Sequence, residues 1–229
     1  MTTFSALQPS SLVEEAYQEI RAAILGGRVA TGSQLSEAGI AREMGVSRGP
    51  VREALRLLEQ AGLVVREPNK GYRVASFTRE DLVEFASLRL ALEGLALRGA
   101  IRDPKTPVEL RAIWREMGEA TRREDRARAI ELDRQFHETL VVRSGHRRLR
   151  AVWNQLRDQI ELAVAEIALS YPTLSGRAAS HVPMLDAIER QDLDGALSAL
   201  ETHIYDSDIF RDAAARAAAR EGADGGVGR

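Results

Sequence analysis

The chain has no cysteine in 229 residues, which excludes disulfides and thiolate metal sites and leads us to expect a reducing, cytoplasmic setting. Nowhere do about 18 apolar residues follow one another, so no membrane-spanning helix is expected. The opening Met-Thr-Thr-Phe-Ser lacks the basic-then-apolar order of a secretory leader. Net positive charge is also missing: the formal charge is −2, and up to Ser76 nine Lys/Arg stand against eight Asp/Glu. Domains held by phosphate contacts are usually basic, so only the placement of the arginines can argue for nucleic acid. No internal repeat stands out.

What is present is a chain of 44% hydrophobic residues, enough for one to two packed domains at this length. Ser36 to Met44 carries apolar residues at Ile40, Ala41 and Met44, and Gly45-Val46 breaks it. Ser47 then stands where a helix cap accepts from exposed backbone N–H groups. Pro50 falls in the first turn, where its missing donor is harmless. Val51, Ala54, Leu55, Leu58 and Ala61 share one stripe of the helix, and Arg48, Arg52, Arg56 and Glu59 point elsewhere. Two helices across a short turn, with arginines in the exposed start of the second, make a helix-turn-helix. Leu63–Val65 and Tyr72–Ala75 read as short strands around the turn-forming Glu67–Gly71, which adds a wing. Periodicity alone fits these arginines to a solvated face as well as to DNA contact.

From Thr78 the period becomes helical throughout. Thr78 with Asp81 opens a run to about Ile101, and Thr106-Pro107-Val108-Glu109 reads as a capping box with proline at the first helical position. Further helices are expected at about 126–144, 147–170, 178–190 and 193–219. The fold class is therefore mainly α, an N-terminal winged helix-turn-helix followed by an all-helical bundle. Boundaries are expected at 1–76, 77–215 and a disordered tail at 216–229, with a short, stiff join at Ala75 to Thr78.

A helical wheel over the bundle puts four polar residues into apolar arcs. Asp133 and His137 lie among Leu132, Phe136 and Leu140, four residues apart and on one face. His181 shares a stripe with Met184, Leu185 and Ile188, and His203 with Ala196, Ala199 and Leu200. A single buried histidine is usually a hydrogen-bonded core residue. Three imidazoles and a carboxylate on three helices instead suit a divalent ion, zinc first and Ni, Fe or Mn as alternatives. Any open coordination position could take a carboxylate.

Two resemblances extend this reading. Leu35-Ser36-Glu37, Ile40-Ala41, Gly45-Val46-Ser47-Arg48, Pro50-Val51-Arg52-Glu53-Ala54-Leu55 and Gly62-Leu63-Val64 resemble the GntR family of bacterial transcription regulators over about the first 75 residues. That resemblance implies that Ser47, Arg48 and Arg52, with Lys70 and Gly71 on the wing, meet an operator. Gly39 inside the second helix and the wing's Asn-Lys-Gly-Tyr depart from the pattern. Asp133-Arg134-Gln135-Phe136-His137, then His181, Asp192 and His203, resemble the FCD ligand-binding domain of one GntR subfamily over about residues 79 to 210. It implies that Asp133, His137, His181 and His203 bind a divalent metal that helps hold a small organic acid. Arg89, four residues before Glu93, is then placed to fork onto an effector carboxylate. Without the resemblance, Arg89 reads as an intra-helix ion pair of little worth. His146, after a helix-stopping glycine, reads as a loop residue outside the site.

One recognition helix reads only a few base pairs, so a homodimer on palindromic double-stranded DNA is expected. The expected function is a non-enzymatic, metal-containing, effector-responsive transcription regulator with no membrane attachment. A metal-dependent hydrolase or lyase with a winged-helix interaction module is the alternative. No general base or nucleophile accompanies the ligand set at a recognisable spacing. A DNA-binding scaffold with an empty bundle is a third reading.

Overall fold

The computed structural model describes residues 11–169, 176 and 178–205. The chain divides into two compact units, one up to Ser76 and one from Phe77 onward.

In the first unit, α1 (Ser11–Leu25), α2 (Glu37–Glu43) and α3 (Arg48–Gln60) accompany strands β1 (Gln34–Leu35), β2 (Val64–Glu67) and β3 (Gly71–Val74). The expected stripe of α3 forms the core: Val51, Ala54, Leu55 and Leu58 are fully buried, with Ile20 and Ile24 of α1 also buried. The sheet is antiparallel in the order β1-β3-β2, with Val64 opposite Val74 and Leu35 opposite Tyr72. Strand β1 was not expected, because two residues are too short to show a period. It exists through its pairing with β3.

Ser36 caps α2, its hydroxyl accepting from the Gly39 N–H at 3.1 Å. A β-carbon at Gly39 would come within 3.3 Å of the Ser36 side chain, so the family departure at this position accommodates the cap. Ser47 occupies the cap position of α3, but its side chain makes no cap bond, which corrects the expectation. Pro50 is the third helical residue and has no N–H for the hydroxyl to accept. The wing turn is set by Asn69 and Gly71 at positive φ, 63° and 86°; a glycine at the second of these avoids the strain of a side chain.

The second unit comprises α4 (Arg79–Ala100), α5 (Lys105–Arg122), α6 (Arg126–Arg143), α7 (Arg147–Leu169), a 3₁₀ turn (Ala179–His181), α8 (Val182–Glu189) and α9 (Leu193–Tyr205). Thr78 and Asp81 form the expected capping box of α4. The expected box at Thr106 does not form. Helix α5 starts earlier, at Lys105, because Asp103 accepts from the Lys105 N–H at 3.0 Å and its carbonyl takes the Thr106 N–H. Thr106 is thus an interior position, its hydroxyl buried without a partner among the described residues. His146 serves the backbone, since its Nδ1 accepts from the Leu149 N–H at 3.1 Å at the start of α7. Leu97, Leu110, Met117, Phe136, Leu140, Met184 and Leu200 form the fully buried core around which the helices pack. The expected continuation of the last helix to 219 and the expected tail at 216–229 lie outside the described residues. No described helix is long and apolar enough to cross a membrane.

Candidate functional site

On the first unit, burying the α3 stripe leaves Ser47, Arg48, Arg52 and Arg56 exposed on one helix, with Lys70 and Gly71 exposed on the wing. Arg52 Nε donates to Glu37 Oε2 at 3.2 Å and Arg56 Nε to Glu53 Oε2 at 3.1 Å, all between exposed or half-exposed side chains. Such pairs contribute roughly 0.2–1 kcal/mol, so an arriving phosphate or base edge can replace them. The Ser47 hydroxyl, free of a cap bond, is likewise available to a phosphate oxygen.

In the bundle, Asp133, His137, His181 and His203 each offer one ligand atom, and these atoms all lie within 4.8 Å of one another. Helix α6 supplies the first two, the 3₁₀ turn His181, and α9 His203. The Nε2 atoms of His137 and His203 are 3.1 Å apart, those of His137 and His181 are 3.4 Å apart, and His181 Nε2 is 3.5 Å from Asp133 Oδ1. Two nitrogens bound to one tetrahedral zinc stand about 3.3 Å apart, given Zn–N bonds of about 2.0–2.1 Å.

The outward nitrogens explain why the inner ones converge. His137 Nδ1 lies 2.5 Å from Glu93 Oε2, and His203 Nδ1 lies 3.1 Å from Ser180 Oγ. Burial works to raise the Glu93 pKa, but Arg89 and His137 outweigh it and hold the carboxyl below its usual value. An ionised Glu93 can accept a proton from His137 Nδ1, the arrangement in which Nε2 is the nitrogen turned toward an ion. Burial of the His203 ring, reinforced by His181, His137 and Arg89, keeps it well below the usual imidazole pKa of 6.5. Three imidazole nitrogens and a carboxylate oxygen that converge within 4.8 Å make a donor set that fits a divalent ion.

Arg89 and Glu93 are both buried, and Arg89 Nε donates to Glu93 Oε1 at 2.5 Å. The expected intra-helix pair therefore exists, in the interior rather than on the surface. The terminal nitrogens of Arg89 make no hydrogen bond among the described residues. Together with Asp133, His137 and residues of α7, Arg89 lines a cavity of about 30 Å³. His203 and Ser180 also line an open groove of about 530 Å³ between α8 and α9.

Sequence reasoning missed Glu93 and Ser180 as supports of the imidazoles. A wheel over α4 finds Glu93, since it shares a buried stripe with Ala86, Ala96, Leu97 and Ala100. Ser180 lies in a short 3₁₀ turn and offers no such periodic signal.

A winged helix-turn-helix in one chain with a helical unit built around a ligand-capable centre defines a DNA-binding transcription regulator. Residues 12–74 match the gntR family of bacterial regulatory proteins, and residues 84–206 match the FCD domain. The chain belongs to the GntR family, with FCD as its second domain. It is 34% identical over 79% of its length, and 80% of the relative's, to the "Probable D-xylose utilization operon transcriptional repressor" of Paenarthrobacter nicotinovorans. To the gluconate operon transcriptional repressor of Bacillus subtilis it is 32% identical, over 66% of this chain and 63% of that one. A GntR-type regulator from Rhodococcus sp. RHA1 shares the fold at a TM-score of 0.77 and 23% identity, covering 86% of this chain and 95% of the other. E. coli McbR/YncC does so at a TM-score of 0.73 and 20% identity, over 86% and 94%. The two sequence relatives are named as transcriptional repressors, in keeping with a non-enzymatic role.

Proposed function

We propose that this regulator binds a palindromic operator as a homodimer in the cytoplasm, and that a small organic acid held at a divalent metal modulates that binding. Asp133, His137, His181 and His203 are the metal ligands, and zinc is the ion their chemistry suits best, with Ni, Fe or Mn able to replace it. The carrying observation is the convergence of three Nε2 atoms and a carboxylate, with two of the imidazoles backed by Glu93 and Ser180. When bound, the metal supplies an electrophilic position for one carboxylate oxygen. Arg89 supplies the fork for the other: Glu93 fixes its Nε, and its terminal nitrogens remain to donate. Ser47, Arg48 and Arg52 of α3, with Lys70 and Gly71 of the wing, contact the operator. An effector acts only if it binds one state of the protein better than the other.

The test is calorimetry of small organic acids against metal-loaded protein, chelated protein and Arg89→Lys. Lysine keeps the charge but lacks the planar pair of donors. Acid affinity is expected to fall about tenfold or more in Arg89→Lys and on chelation, while Arg89→Lys keeps its metal and its acid-free operator binding. Acid binding that persists unchanged in the chelated protein would overturn the metal-held effector.

A further inference from the structure

The α7 wall of the same cavity carries a second binding feature, whose meaning rests on the reading of the bundle as an acid-binding metal domain. Trp153, Arg157 and Ile160 of α7 line that cavity with Arg89, Asp133 and His137. Trp153 is buried, yet among the described residues its indole N–H has no partner. The Nε of Arg157 is also buried without a hydrogen bond among the described residues, its ion pair with Asp158 Oδ1 at 3.4 Å lying outside hydrogen-bonding geometry. Four residues apart on one helix, the two side chains share a face. A buried donor without an acceptor is costly and uncommon in folded chains, so two of them on one face of a cavity mark a place where an acceptor would be stabilised.

The charges on this wall point the same way. Arg134 pairs with Glu131, Glu138 and Glu161, and Arg89 has Glu93. Arg157 shares Glu138 with Arg134 through a long 3.3 Å contact from its Nη1, and meets Asp158 through its Nε at 3.4 Å. Among the three guanidinium groups lining the cavity its nearest ion pair is the longest, 3.3 Å against 2.5 Å for Arg89 and 2.6 Å or less for Arg134. An acceptor for an indole N–H and a guanidinium together needs several lone pairs and a negative charge, which a carboxylate offers and a hydroxyl does not.

We propose that Trp153 and Arg157 form a second carboxylate subsite, so that the effector is a small dicarboxylate with one end on Arg89 and the metal and the other on α7. A cavity of about 30 Å³ has room for about one water, so admission requires a wall to move. Arg157 is that wall: its side chain is 36% exposed and held only by long contacts.

The experiment titrates the metal-loaded, full-length protein calorimetrically with malonate, succinate and glutarate, each beside the monocarboxylate of equal carbon number. At least one dicarboxylate is expected to bind about tenfold or more tightly than its partner, as a second charge-assisted contact gives. Arg157→Gln is expected to abolish that preference. Arg157→Lys and Trp153→Phe, which preserve most of the packing, should each reduce it several-fold, and monocarboxylate affinity should stay constant in all three. Metal content and melting temperature identify any variant that fails to fold, and the two conservative variants then carry the test. Equal affinity for both acids of every pair, or a preference that survives both Arg157→Lys and Trp153→Phe, overturns the subsite and leaves the Arg89 and metal reading standing. If no acid of either kind binds the loaded wild type, both readings fall together.

Discussion

The two units use arginine in opposite ways. On α3, Arg52 and Arg56 are 61% and 54% exposed and each rests on one neighbouring carboxylate. In the bundle, Arg89 is 10% exposed against a fully buried Glu93, and Arg134 is gripped by three glutamates. An exposed pair is screened by water and salt and exchanges its partner at little cost. A buried pair is fixed by the penalty of separating its charges. The first kind suits a surface that must release and rebind a polyanion; the second suits a frame that holds imidazoles and a ligand in one geometry. The same side chain is thus set for exchange in one unit and for fixed geometry in the other.

The sharpest way to break this contrast is to remove the centre that the bundle's buried charges frame. His181→Ala should lose metal and lower the melting temperature of the loaded protein, since an ion bound only by the folded state stabilises it by about 4 kcal/mol at a thousand times its dissociation constant. Chelation should destabilise wild type and leave His181→Ala almost unmoved. Equal melting shifts in the two proteins would remove the metal from the account.

On the other unit, Arg52→Ala should weaken operator binding by about 1–3 kcal/mol in a titration if Arg52 reads a base edge, with almost no change in melting temperature. Arg56→Ala should cost less, because Arg56 lies one turn further from the start of α3, the end by which recognition helices generally contact bases. The reverse order would mean that α3 sits differently on DNA.

The smallest expected effect separates the units by pH. All four histidines lie beyond Ser76, and His203 is held well below its ordinary value of 6.5. The unfolded chain takes up that proton below pH 6.5 while the folded chain refuses it. Stability of the metal-free bundle should therefore fall as pH drops from 6.5 to 5.5, by up to about 1.4 kcal/mol per unit. Hydrogen exchange read separately in the two units should show the loss in the bundle alone, and His203→Gln should flatten it.

Much of both units was legible because their signals are local. The α3 stripe, the Thr78 cap and the arcs holding Asp133, His137, His181 and His203 all follow from periods of 3.6 residues within one segment. Where the reading failed, neighbours decided. At Ser47, Pro50 withholds a donor that the capping rule assumes. At Thr106, Asp103 starts the helix first. Strand β1 has too few residues to carry a pattern and takes its form from β3.

By itself the sequence determined the fold class, the helix that leaves its arginines exposed and the four side chains turned toward the bundle core, because helical spacing settles which residues share a face. Tertiary structure decided that three imidazoles meet through their Nε2 atoms, that Glu93 and Ser180 back two of them, and that Arg89, Trp153 and Arg157 share one cavity. Those facts depend on side chains from α4, α6, α7, α9 and a 3₁₀ turn meeting across long separations in the chain. No spacing within one helix encodes a distance to another; packing of the whole core sets it.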